Sequence, residues 1–337
     1  MTTAKKTART IGFTTVHAPS KEHPSVPYHV ALLRDSDGKH HVRKTFKLPE
    51  IGQSFDLEGK GTVSHVGIAG TGVMAAGIAL LCLENELNVV AKARSAAAAE
   101  KLASAVSKQL AKKMDDAQAS STAKRFSTTL APSGLSGCQI VVEAVAEDLA
   151  IKQKLFSELD AVLPPNIVLA SNTSSLSIKE IAANCRHKER VAGMHFFNPV
   201  SKMQLVEVVK TNETNDEAEK TISELAHQLG KTPITVKDSP GFIVNRLLMP
   251  FLNDAVRLVE EGVSEPATID SAVKLGLNHP MGPLALVDLI GIDVFVEIMR
   301  ELQRKTGDKS FAPRPLALKL LNEGKLGRKT GEGFYKY

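Results

Sequence analysis

His195 and Glu207 stand on either side of a turn-prone stretch, 198–204, and the flanking runs 191–199 and 205–209 are rich in apolar and β-branched residues. A hairpin centred near Ser201 sets the two side chains directly opposite one another on one face. A carboxylate beside an imidazole favours the protonated ring, orients it and fixes its tautomer. That is the apparatus for moving a proton on or off a hydroxyl. A histidine among aromatic residues is by itself more often structural, so the facing carboxylate carries the argument.

Gly70-Thr71-Gly72-Val73-Met74-Ala75 directly follows an apolar run, 63–68, that reads as a strand, and it opens an apolar helix at 76–87. The first glycine permits a tight turn. The second lets backbone N–H groups approach a pyrophosphate at the positive helix end, and the small Ala75 allows close helix–strand packing, with Gly77 as a further close-packing point. Strand on one side and helix on the other make this a dinucleotide-binding fingerprint rather than an ordinary glycine turn.

A second strand, 89–93, leads into Lys92-Ala93-Arg94-Ser95, with no carboxylate before Glu100. A free ribose usually meets an acidic side chain there, whereas a guanidinium matches a 2′-phosphate in charge and in its fork of donors. Lys92 and Arg94 therefore predict NADP(H) over NAD(H). The alternative is a solvated strand end with NAD as the cofactor.

Ser174 lies in Ser171-Asn172-Thr173-Ser174-Ser175-Leu176, at the carboxyl end of an apolar run, 167–170, where ligands of open α/β sheets bind. Ser177 with Glu180 reads as a capping box, which starts a helix at Ser177 and leaves Ser174 in the loop. No Gly-x-Ser-x-Gly elbow surrounds Ser174, so its hydroxyl is expected to hydrogen-bond rather than to attack.

Three kinds of segment must position these groups. Residues 11–17, 28–34 and 41–47 read as strands, with 35–38 as a turn and Phe55 and Leu57 in one more short strand. From 63 onward strand and helix alternate. Helices at 96–113 and 150–162 and short apolar runs at 140–145 and 167–170 imply βαβ units and a mostly parallel sheet. After Ser239-Pro240-Gly241 the pattern turns helical, at 242–261, 265–275 and 284–304 with a break at Gly291. The expected fold class is α/β: a Rossmann-type doubly wound sheet at 62–239, an all-helical domain at 240–337, and a small OB-like β segment at 1–61. Residues 247–252 are apolar on more than one helical face, as a buried helix or a dimer interface requires.

The whole chain, 337 residues with 43% hydrophobic and 23% charged, has the composition of a multidomain globular protein. Residues 1–60 hold ten Lys/Arg against six Asp/Glu, four of the five net positive charges. This reads as a solvated face. With 4% aromatic residues and no Trp, a stacking surface for nucleic acid is not expected. Three scattered cysteines suit neither a disulfide framework nor a metal site and fit a reducing compartment. No apolar run is long enough to span a membrane, and no secretory signal is read. The expected location is cytoplasmic.

Taken in order, the glycine loop, Val142-Glu-Ala-Val-Ala-Glu147, Ser171-Asn-Thr-Ser-Ser-Leu176, His195-Phe-Phe-Asn-Pro199, Leu205-Val-Glu-Val-Val209, Pro240-Gly-Phe-Ile-Val-Asn-Arg246, Pro280-Met-Gly-Pro283 and Lys329-Thr-Gly-Glu-Gly-Phe-Tyr335 give the chain its likeness. Over residues 63–337 it resembles the 3-hydroxyacyl-CoA dehydrogenase family. The resemblance implies hydride exchange between a nicotinamide and C3 of an acyl-CoA, with short chains expected. It implies that His195 transfers the proton, that Glu207 is its partner, and that Ser174 and Asn245 bind and polarise the C3 oxygen. Glu147, Lys152 and Asn198 match positions near the nicotinamide half of the cofactor, and Lys329 a further cofactor contact. A homodimer is implied as well.

The chain departs from the family pattern in three places. Ala93 stands where the family's acidic residue is usual, which supports NADP. The region between Asp115 and Gln139 is short where longer members position part of the CoA, with Lys112 and Lys113 as replacements or simply solvated. Residues 1–61 have no counterpart in simple members and are expected to contact CoA or a partner enzyme. The competing functions are a dehydrogenase of free 3-hydroxy acids and a non-catalytic CoA- or cofactor-binding scaffold.

Overall fold

A computed structural model describes residues 7–16, 28–45, 50–52, 54–56 and 63–337. His17, Phe46, Lys47, Leu57 and the expected boundary after residue 61 lie outside the described residues.

Strands β1 (Thr7–Val16), β2 (Tyr28–Asp35), β3 (His40–Thr45) and β4 (Ser54–Asp56) form an antiparallel sheet in the order β3-β2-β1-β4. The expected turn at 35–38 joins β2 to β3. Asp35 accepts the backbone N–H groups of Asp37 and Lys39 through one oxygen and pairs with His41 through the other, and Gly38 takes the positive φ of 80°.

The second sheet follows from alternation of strand and helix. Its first part is β5 (His65–Ala69), α1 (Val73–Glu84), β6 (Asn88–Lys92), α2 (Ala96–Lys113), α3 (Asp116–Ala123) and β7 (Phe126–Thr129). The chain then returns through β8 (Ile140–Glu143), α4 (Leu149–Val162), β9 (Val168–Ser171), α5 (Ile178–Ile181) and β10 (Val191–Phe196). It ends with β11 (Leu205–Lys210), α6 (Asp216–Gln228) and β12 (Thr232–Lys237). The strand order is β12-β11-β10-β9-β8-β5-β6-β7, parallel from β7 to β10, with β11 antiparallel to β10. The order reverses between β5 and β8, the point at which open α/β sheets take their ligands. Strands β8, β9 and β10 are buried along their whole length, as central strands covered on both faces must be. Side-chain caps fix the helix starts: Ser95 on α2, Asp115 on α3, Asp148 on α4 and Asn215 on α6.

A second compact unit holds 174–177 and 236–337, so it begins before Pro240 and takes in the loop that carries Ser174. Its helices are α7 (Val244–Glu260), α8 (Pro266–Gly276), α9 (Pro283–Ile290), α10 (Ile292–Thr306) and α11 (Pro315–Asn322). Proline opens α8, α9 and α11, where its missing N–H costs nothing. Gly291, at φ 99°, breaks α9 from α10 at the expected place. Two buried carboxylates secure the chain end. Asp288 accepts the N–H groups of Phe334 and Tyr335, and Asp270 accepts the Tyr335 hydroxyl at 2.7 Å. Desolvation raises the pKa of Asp288 despite these donors.

Two differences from the sequence reading have physical causes. Helix α1 starts at Val73 rather than 76, because the extended Gly72 is itself the N-cap, and it closes at Glu84, where Glu86 turns to φ 63°. The 115–139 stretch holds α3 and β7, whose polar and half-exposed residues show no clear periodicity. A side chain on Gly70, at φ 141°, would collide with the Ala144 carbonyl at the end of β8. Gly70→Ala should therefore destabilise the fold by about 1–3 kcal/mol or more, seen as a drop of several degrees in Tm. An unchanged Tm would contradict this close approach.

Candidate active site

The hairpin forms in the expected register, with His195 of β10 directly across from Glu207 of β11. His195 Nδ1 lies 2.8 Å from Glu207 Oε2. The carboxylate can only accept, so Nδ1 is the protonated nitrogen and Nε2 the one able to exchange a proton. Both groups are buried, at 4% and 1% exposure, where a carboxylate without a donor would be costly. The Phe197 ring packs on the imidazole, 4.4 Å between centroids. Gly193 lets the strands and α5 close up, since a Cβ there would meet Val209 at 2.7 Å.

The turn between the strands is held from beneath. Buried Lys231 donates from Nζ to the carbonyls of Val200 and Met203, at 2.7 and 2.8 Å, and burial lowers its pKa. Asn198 is exposed at the head of this turn, before a cis Pro199.

At the switch point the glycine loop leaves β5. The N–H of Gly70 donates to the Lys92 carbonyl, tying the loop to the end of β6. A Cβ on Gly72 would meet nothing within 4 Å, so the approach to the start of α1 is open. Helix α1 has no side-chain cap and no acidic residue in its first turn, which leaves its positive end suited to a pyrophosphate. Val73 is 79% exposed there, Met74 is half-buried, and Ala75 is packed inside. The residues present thus fit a dinucleotide. Past β6, Ala93 is buried, Lys92 half-buried and Arg94 exposed, and α2 begins without an acidic residue in its first turn.

Lys152 is not a surface cation. It is 1% exposed, donating to Glu143 Oε1 at 2.6 Å and lying 3.2 Å from Glu147 Oε2. Glu143, also 1% exposed, accepts the Ser171 hydroxyl at 2.6 Å and the Val145 N–H at 2.7 Å. Glu147 accepts the Thr173 hydroxyl, and Asn172 takes the Phe196 N–H at 2.9 Å, linking β9 to β10. Neither Glu143 nor Lys231 stood out in the sequence. The one signal for Glu143 was an acidic residue closing an otherwise apolar strand.

In the helical unit Asn245, at the start of α7, donates from Nδ2 to the Ser174 carbonyl at 3.0 Å, so these two expected site residues are brought together. Ser177 precedes α5, as expected, and its hydroxyl donates to Asp238 at 2.7 Å. Lys329 pairs with Asp293. Among the described residues no group of three His, Cys, Asp or Glu could hold a metal ion, and no helix is long and apolar enough to cross a membrane.

Residues 65–239 match the family model "3-hydroxyacyl-CoA dehydrogenase, NAD binding domain", and residues 241–337 match "3-hydroxyacyl-CoA dehydrogenase, C-terminal domain". The chain is 43% identical over 277 residues to a probable 3-hydroxybutyryl-CoA dehydrogenase of Deinococcus radiodurans, covering 80% of this chain and 99% of that one. It is 40% identical over 288 residues to the human mitochondrial hydroxyacyl-coenzyme A dehydrogenase, covering 82% and 91%. The crystal structure of (S)-3-hydroxybutyryl-CoA dehydrogenase from Ralstonia eutropha superposes with a TM-score of 0.78 at 41% identity, covering 82% of this chain and 99% of that one.

If the carboxylate fixes the ring, nitrogen-resolved NMR of the histidine-labelled protein should show neutral His195 protonated at Nδ1. Glu207→Gln should release it to the commoner Nε2–H form or a mixture. A wild-type ring protonated at Nε2 would contradict the geometry.

Proposed function

This chain belongs to the 3-hydroxyacyl-CoA dehydrogenase family, and we propose from that premise that it exchanges hydride between NADP(H) and C3 of a short-chain 3-hydroxyacyl-CoA or 3-oxoacyl-CoA. The observation that carries this reading is the buried His195–Glu207 pair on adjacent strands of a dinucleotide-binding sheet. When bound, the nicotinamide supplies the hydride acceptor or donor. His195 takes the C3 hydroxyl proton at Nε2 in oxidation and returns it in reduction, and Glu207 stabilises the imidazolium this creates. Ser174 and Asn245 bind and polarise the C3 oxygen.

Gly70, Gly72, Val73, Met74 and Ala75 form the pyrophosphate cradle. Glu147, Lys152 and Asn198 border the nicotinamide half, and Lys329 adds a further cofactor contact. Lys92 and Arg94 receive a 2′-phosphate, supported by the buried Ala93 between them and by the acid-free start of α2. The names of the relatives support a short acyl chain.

The chain works as three parts, 1–61, 62–239 and 240–337, with the first contacting CoA or a partner enzyme. A homodimer is supported by apolar side chains open to solvent on the helical unit, among them Leu247 at 70% and Leu275 at 86% exposure. The three buried, unpaired thiols suit a cytoplasmic location.

Following acetoacetyl-CoA reduction with each cofactor in turn tests the reading. We expect kcat/KM for NADPH to exceed that for NADH by about tenfold or more, the worth of one charge-assisted contact to the phosphate. A preference for NADH would overturn the cofactor assignment, and no turnover with either would overturn the activity.

A further inference from the structure

A residue outside both strands joins the turn between β10 and β11 to α1, the helix that the glycine loop opens. Lys231 follows α6, its backbone N–H donating to the Ala226 carbonyl at 2.8 Å. It is 4% exposed, and its Nζ donates to the carbonyls of Val200 and Met203. Both carbonyls lie outside the strand ladder, where a buried acceptor needs a donor from elsewhere. The N–H groups of Lys202 and Met203 both donate to the Pro199 carbonyl, which closes the turn on itself. The Val200 side chain, 4% exposed, carries the contact on to α1. A Cβ on Gly77 would lie 3.0 Å from Val200 Cγ2 and 3.3 Å from its Cβ. Val200 therefore rests on the bare backbone of α1, one turn after the helix begins at Val73.

Resting on the reading that Asn198 borders the nicotinamide half of the cofactor, we infer that Lys231 is a positioning residue for cofactor binding. Holding the Val200 carbonyl, it seats Val200 on Gly77 and so fixes where Asn198 stands relative to the start of α1. Only Pro199 lies between Val200 and Asn198, and its ring fixes φ, so a shift at Val200 passes on to Asn198. His195 has a second hold, the strand ladder and the hydrogen bond to Glu207, so a loosened turn tells chiefly on Asn198. Lys231 itself is too deeply buried to touch a ligand and acts through the turn.

Steady-state kinetics of acetoacetyl-CoA reduction by the full chain test this, with whichever of NADPH and NADH the wild type uses better. The variants are Lys231→Met, Gly77→Ala and Asn198→Ala. Lys231→Met keeps the reach of the side chain and removes its donors. Gly77→Ala presses a methyl group on Val200 from the other side while giving α1 a better helix former. All three should raise KM for the cofactor by about three- to tenfold, the scale of one lost hydrogen bond, with kcat and KM for acetoacetyl-CoA changed by less than about twofold. A merely structural lysine would lower Tm and leave the cofactor KM of the folded enzyme unmoved. A rise at Asn198 with none in the other two variants overturns the inference while the cofactor reading stands. So does a Lys231→Met variant in which all three parameters worsen alike. No rise at Asn198 overturns that reading and the inference with it. If Lys231→Met does not fold, Gly77→Ala decides alone.

Discussion

A carboxylate shut away from water must be met by donors, and at Glu207 the donor is an imidazole. This one pairing requires β10 and β11 to be adjacent and in register, and it needs the turn between them held by Lys231. It also fixes which nitrogen of His195 can exchange a proton. Because the strands are buried along most of their length, the ring has little freedom to turn away. The sheet supplies rigidity, and the hydrogen bond converts it into a preferred tautomer.

The same constraint is met differently elsewhere in the molecule. At Glu143 the donors are an ammonium, a hydroxyl and a backbone N–H, which bind β8, β9 and α4 together. At Asp270 and Asp288 they are backbone N–H groups and tyrosine hydroxyls, which hold the chain end onto the helical unit. Arg190 and Asp160 form another buried pair, with the guanidinium also reaching the Ile167 carbonyl. These last groups are fully engaged in holding the fold. The His195–Glu207 pair differs in that its donor is an imidazole, a group with a second ring nitrogen.

Much of this was legible in the sequence where one local pattern determined the outcome. The alternation around Ser201 placed His195 opposite Glu207, and the glycines after an apolar run placed the dinucleotide loop. The remainder depends on contacts that only the fold creates. Ser171 and Glu143 are far apart in sequence and meet because β8 and β9 are neighbours. Lys231 reads as an ordinary polar residue until the turn at 199–203 is laid over it. Edge strands β7 and β12 are half-exposed, and β12 contains a proline, so neither shows a strong strand pattern. Helix α6 does carry a legible pattern, since Ala218, Ile222 and Leu225 form one buried stripe.

The proton-transfer role of the His195–Glu207 pair is tested most directly by the pH dependence of kcat/KM in both directions. If His195 accepts the proton in oxidation and donates it in reduction, the two profiles must slope in opposite senses. Oxidation should rise with pH as reduction falls. Profiles that are flat, or that change in the same sense, would show that another group carries the proton.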